Sequence, residues 1–124
     1  MASNLVVTNG LEQIIDLMDT VAWYIQSGIG TTNAAAGDTG LETITGCPAA
    51  VIAVGTQPTA LTMRNVATVD FTSSLAITEA GVFNGSTGSG TDDLLQRHTF
   101  TDINVVSGDS IEFTIDATAA AAAA

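Results

Sequence analysis

The chain contains no lysine, and its whole basic complement is two arginines, Arg64 and Arg97. Against them stand 13 aspartates and glutamates, giving a formal net charge of −11. That balance excludes electrostatic binding of nucleic acid, whose phosphates would be repelled, and attraction to an anionic membrane surface. Aromatic residues are scarce at 5% of the chain, and much of the 46% hydrophobic content is alanine. Small side chains suit thin, closely packed sheets better than a deep ligand cavity. The single cysteine, Cys47, excludes an internal disulfide. It lies between Gly46 and Pro48 in a predicted turn and reads as a small buried apolar residue rather than a nucleophile. No apolar run approaches the ~20 residues of a membrane-spanning helix, and no basic region followed by an apolar run marks a signal peptide.

What is present is consistent with one domain of 124 residues. Like charges destabilise a compact state at low salt, and molar salt relieves this by shortening the Debye length to about 3 Å. Lysine absence with abundant Asp and Thr therefore reads as adaptation to a saline environment. Leu11, Ile14, Ile15 and Met18, continued by Val21 or Ala22 and Ile25, repeat at helical spacing. They predict one N-terminal helix over about 10–20, with Asn9 as its N-cap and Glu12 completing a capping box. The β-branched and aromatic run Val21–Ile25 ends the helix near Asp19 or Thr20 and begins a strand over 21–27. Residues 27–40, "SGIGTTNAAAGDTG", form a loop. It has glycines but neither the lysine nor the following helix of a phosphate-binding loop.

Beyond it, short strands are predicted over 41–45 and 49–55, and over 59–72, where Leu61 and Met63 and then Val69 and Phe71 alternate in two registers. Further strands cover 74–84 and 94–100, with a short apolar pair at 104–107 and a turn at 107–109. In the last strand, 110–117, Ile111, Phe113 and Ile115 point inward. Short strands with turns at this spacing predict a mainly β fold, an antiparallel β-sandwich of immunoglobulin-like or jelly-roll-like type. It occupies residues 1–118. Residues 119–124 are all alanine and carry no prediction.

The segment "ITEAGVFN" raises the sharpest question. Leu75, Ile77, Gly81 and Phe83 share one parity, and Glu79 falls in the middle of that apolar set. A lone buried carboxylate is costly, whereas a paired and hydrogen-bonded one is tolerable. Strands 74–84 and 94–100 form a hairpin, so Glu79 is expected to meet Arg97, which shares parity with Leu95. Two alternatives stand beside this pairing: acceptance of backbone N–H bonds from the 27–32 loop, or strand twist or a bulge at Gly81 that turns Glu79 to solvent.

Other candidate sites are weaker. His98 is the only histidine and nothing in the sequence places it against Cys47, so no catalytic pair, enzyme activity or cofactor is assigned. One Cys and one His make no zinc site. Asp92, Asp93, Asp102 and Asp109 gather around late loops and are weak candidates for a hard cation, against the simpler reading of a solvated acidic surface. Gly85, Ser86, Thr87, Gly88, Ser89 and Gly90 form an exposed hydrated tip.

In order along the chain, "WYIQSGIGTT…GDTGLET", "ITEAGVFN", "LLQRHTF" and "VVSGDSIEFTI" resemble a family of small structural proteins of tailed viruses. The resemblance covers about residues 23–117 and rests on the order of the motifs. Over 42–47, where family members often carry an arginine, this chain has "ETITGC". The resemblance implies a virion component: a turret or decoration subunit on the capsid, here of a haloarchaeal virus. Alternatives are a tail-fibre or baseplate component touching the host and, from another class, a cellular β-sandwich ligand-binding module. The expected partners are further copies of the chain, as trimer or pentamer, and other virion proteins such as the major capsid protein, with host-surface contact possible only at the tip. Nucleic acid and membrane are not among them. Localisation is the virion, assembled in the host cytoplasm.

Overall fold

The computed structural model describes residues 6–52, 56–87 and 92–120. It is an antiparallel β-sandwich preceded by one helix. In chain order come α1 (Thr8–Met18), β1 (Tyr24–Gly28), β2 (Ala50–Val51), β3 (Thr56–Thr59), β4 (Thr62–Asp70), β5 (Leu75–Phe83), β6 (Leu94–Val105) and β7 (Ser110–Thr118). One sheet has the order β2-β1-β5-β6 and the other β3-β4-β7. Between them lies a core built from Ile25, Ile77, Ala80 and Val82 of the first sheet and Ala67, Val69, Phe71, Phe113 and Ile115 from the second side. Cys47 is buried in this core.

The helix is placed by its apolar stripe and not by a cap. Leu11 and Ile15 are its buried residues, and Ile15 packs with Met63, Ala117 and the half-buried Met18 and Trp23. Val7, in extended conformation, occupies the N-cap position without a side-chain cap, so Asn9 and Glu12 lie inside the helix and make no capping box. Ile14 and Val21, expected in the buried stripe, are 45% and 41% exposed. The chain then turns before β1: the N–H groups of Thr20 and Val21 bond to Leu17 O and Met18 O, which delays the strand to Tyr24. The Trp23 indole donates to Met18 O at 2.8 Å, tying that turn to the sandwich.

The other strands correct the expectation in detail. Residues 41–45 contribute one isolated bridge, Ile44 to Gly28. In 49–55 only Ala50–Val51 forms a strand, and residues 53–55 lie outside the described set. Residues 59–72 hold one inward register, not two: Met63, Asn65, Ala67, Val69 and Phe71 are all buried. Asn65 hides this in the sequence because it is polar. The segments 94–100 and 104–107 merge into β6, and β6 passes to β7 through a turn in which Gly108 has φ 95°. There Asp109 accepts the N–H of Val106 at 2.8 Å. Of the alanine tail, Ala119 packs on the helix-side cluster and its N–H bonds Leu61 O at 2.9 Å, while residues 121–124 lie outside the described set.

Candidate functional site

Glu79 is fully buried, yet it does not face the sandwich core. Its neighbours Ala80 and Val82 do, so Glu79 points to the opposite face of the first sheet. Parity counted from Ile77 fails because the β5–β6 register shifts between Ile77 and Glu79. An irregularity of this kind reverses the alternation. It does not deliver Glu79 to solvent, because residues 29–45 cross that outer face as a strap between β1 and β2.

The strap starts and ends on a short stem. Ile29 N–H bonds Thr43 O at 2.8 Å and Thr45 N–H bonds Ser27 O at 3.1 Å. Directly beneath it, Glu79 Oε2 accepts the N–H groups of Gly30 at 2.6 Å and Thr43 at 2.9 Å. Its Oε1 accepts the N–H of Glu42 at 2.9 Å and Arg97 Nε at 2.9 Å. The pairing with Arg97 is therefore present together with part of its alternative: Gly30 donates from the 27–32 loop, while the other two backbone donors, Glu42 and Thr43, lie beyond that loop.

Arg97 carries the same construction outward. On the same face, Gly81 of β5 sits opposite it in the register and Glu79 opposite Thr99, so the pair is diagonal. Its side chain is 4% exposed. Nη1 reaches Asp38 Oδ2 at 3.0 Å and Nη2 reaches Thr32 O at 2.7 Å. Asp38 also accepts the N–H of Ala35 at 2.9 Å. The carboxylate thus anchors the stem of the strap, and the guanidinium anchors its crest. Glu42 caps the crest by accepting the N–H of Thr31 at 2.9 Å.

Two glycines make room for this arrangement. A Cβ on Gly28, the register partner of Glu79, would lie 2.5 Å from Glu79 Cγ. A Cβ on Gly30 would collide with Glu79 Oε2 and Glu42 Cβ. "SGIG" is therefore a clearance motif for a buried side chain. Asp38, Glu42, Gly28 and Gly30 were not singled out from the sequence; the available signal was the spacing of two glycines around one residue beside a strand.

The charges are held firmly. Burial pushes the Glu79 carboxyl up, but the N–H groups of Thr43 and Glu42, the Arg97 guanidinium and the Gly30 N–H outweigh it and leave the group below its ordinary value. Burial opposes the charge on Arg97, yet bonds to Glu79 and Asp38 hold it above its ordinary value. Asp38 is lowered by the Ala35 N–H and by Arg97. A carboxylate ionised in this way, with both oxygens taken up by donors, is positioned for structure and not for proton transfer at neutral pH.

The remaining candidates lie apart. His98 is exposed and, with Ala80, Phe113 and Ile115, lines a cleft between β6 and β7, whereas Cys47 is inside the core. The late aspartates are not brought together: among the described residues no group of three or more His, Cys, Asp or Glu is placed to hold a metal ion. Asp92 accepts from Thr87 N–H at 2.9 Å, Asp93 N–H donates to Asn84 Oδ1 at 2.8 Å, Asp109 serves the turn before β7, and Asp102 borders an open groove with Ile29, Thr31 and Phe100. Of the tip, Gly85, Ser86 and Thr87 are described, and Gly88, Ser89 and Gly90 are not. Comparison with protein-family models, with curated proteins and with solved structures finds no match to this chain.

Proposed function

We propose that this chain is a structural subunit of a tailed-virus particle, a turret or decoration protein on the capsid surface of a haloarchaeal virus, acting through assembly and not through chemistry. The observation that carries this reading is how Glu79 and Arg97 are used. A buried carboxylate and a buried guanidinium are spent on fixing the course of a surface strap, leaving no free reactive group at that site. Buried pairs contribute little net stability but specify geometry, and a fixed outer shape is what a repeated building block requires.

Two further features support it. Both arginines are engaged internally, Arg64 with Asp116 at 2.9 Å and Arg97 as above. The acidic surface is left to water and cations, a favourable state at high salt. The helix keeps an uncovered apolar side, with Ile14 45% and Leu17 67% exposed, and β6, twelve residues long, pairs on one side only among the described strands. Such surfaces serve a protein that completes itself by joining copies or a capsid protein. The resemblance of the motif series from Trp23 to Ile115 to small tailed-virus structural proteins points the same way.

The test is imaging of purified particles by electron cryomicroscopy with mass spectrometry of their proteins. Repeated copies of the sandwich on the capsid lattice are the expected result. Density confined to the tail tip would replace the head assignment with the fibre or baseplate one. Absence from particles would refute both and leave a cellular binding module.

A further inference from the structure

The strap has few apolar anchors. Residues 31–37 are exposed throughout, and so are Thr39 and residues 42–44, while Gly30 is buried and Leu41 half-buried. Apart from the Thr78 hydroxyl, which donates to Gly30 O at 2.6 Å, every described hydrogen bond tying residues 30–43 to β5 and β6 is made by Glu79 or Arg97. These two side chains also bond each other, so stem and crest share one attachment.

What lies under the strap differs from the rest of the outer face. Gly81 is overlain by Leu41 of the strap, Phe83 and Leu94, whose side-chain atoms stand 2.9, 3.0 and 3.1 Å from where its Cβ would be. Phe83 is fully buried although it is absent from both sandwich clusters. Removing the strap removes Leu41 from this small apolar floor.

We propose that residues 29–43 open and close as one cooperative unit, with Glu79 and Arg97 as the shared latch, and that opening uncovers the Gly81–Phe83 stretch without unfolding the sandwich. The reasoning is energetic. Local openings draw on regions with few buried apolar contacts, and charge-assisted bonds that share partners are lost together. Once Glu79 is released, the N–H groups of Gly30, Glu42 and Thr43 lose their acceptor in the same event, and Arg97 loses the alignment that carries Asp38 and Thr32.

Native-state hydrogen exchange, followed by NMR at increasing sub-denaturing urea, tests this in the intact chain. The amides of Gly30, Glu42 and Thr43 are expected to show one common opening equilibrium with one urea dependence, and faster exchange than Ala80 and Val82 in β5. Three different opening equilibria, or exchange only together with β5, would overturn the proposal. The second arm is Asp38→Ala, which removes the crest acceptor of Arg97 and touches none of the three stem amides. Loss of one charge-assisted bond is expected to increase the opening of all three by a common factor of about ten. A response confined to residues around 35–38 would show that the contacts act separately and would overturn it equally.

Discussion

Replacing Glu79 by glutamine keeps the shape of the side chain and removes its charge, so it isolates what the carboxylate does. In the folded protein four donors point at two oxygens: Gly30 and Thr43 N–H at Oε2, Glu42 N–H and Arg97 Nε at Oε1. A glutamine amide has one oxygen, so in either orientation two buried donors face an NH2 group. Each buried donor left unsatisfied costs about 1–3 kcal/mol, and breaking a buried ion pair from one side costs about 3–5 kcal/mol. These overlap, so Glu79→Gln is expected to lose about 3–5 kcal/mol, a large part of the ~5–15 kcal/mol stability of an ordinary domain. The assay is urea unfolding at neutral pH in high salt, comparing midpoints at constant m-value. The combined apolar replacement of Glu79 by leucine and Arg97 by methionine is informative beside it. A simple ion pair would be recovered by two apolar residues, but here the three strap N–H groups lose their acceptor, so the double variant is expected to remain destabilised. A loss below about 1 kcal/mol for Glu79→Gln, or full recovery in the double variant, would refute the assignment of the strap bonds to Glu79.

The remaining predictions concern the same clasp and the core. Because the Glu79 carboxyl lies below its ordinary value of 4.5, its contribution is fully present above about that pH and is lost as pH falls through the folded-state value. Acid titration of stability should therefore bring wild type and Glu79→Gln together below pH 4.5, while the gap between them stays constant above it. Gly28→Ala drives a methyl group to 2.5 Å from Glu79 Cγ and should cost about 1–3 kcal/mol as overpacking, read as a lower urea midpoint with unchanged secondary structure by circular dichroism. Asn65 is fully buried on β4 and neither polar atom of its amide has a hydrogen-bond partner. Asn65→Leu, close in shape, should raise stability by about 1–3 kcal/mol, measured by thermal and urea unfolding.

Much of the architecture is legible in local pattern. Phe113 and Ile115 are buried as the alternation of β7 requires, with Ala117 extending it, because in a regular strand period two is the same quantity as facing direction. The helix follows from its stripe, although Asn9 as a cap does not, since burial of Leu11 and Ile15 outweighs a capping bond of ~1 kcal/mol in setting where the helix sits. Glu79 and Arg97 stand out because each is a charged residue inside an apolar strand. Their further partners Asp38, Glu42 and Thr32 belong to a loop whose composition has no period, and no spacing rule ties a loop to strands 37 to 65 residues away.

From the chain alone came the things that depend on neighbours in sequence: an antiparallel sandwich with one helix, a strongly acidic composition, and a carboxylate set among apolar residues, with Arg97 and the 27–32 loop as its candidate partners. Only the folded molecule decided which side of the sheet that carboxylate occupies. A register shift between Ile77 and Glu79 reverses alternation, and such a shift is fixed by how β5 lies against β6 and not by the residues of either strand. The strap over it, and the two glycines that admit it, follow from that one change of face.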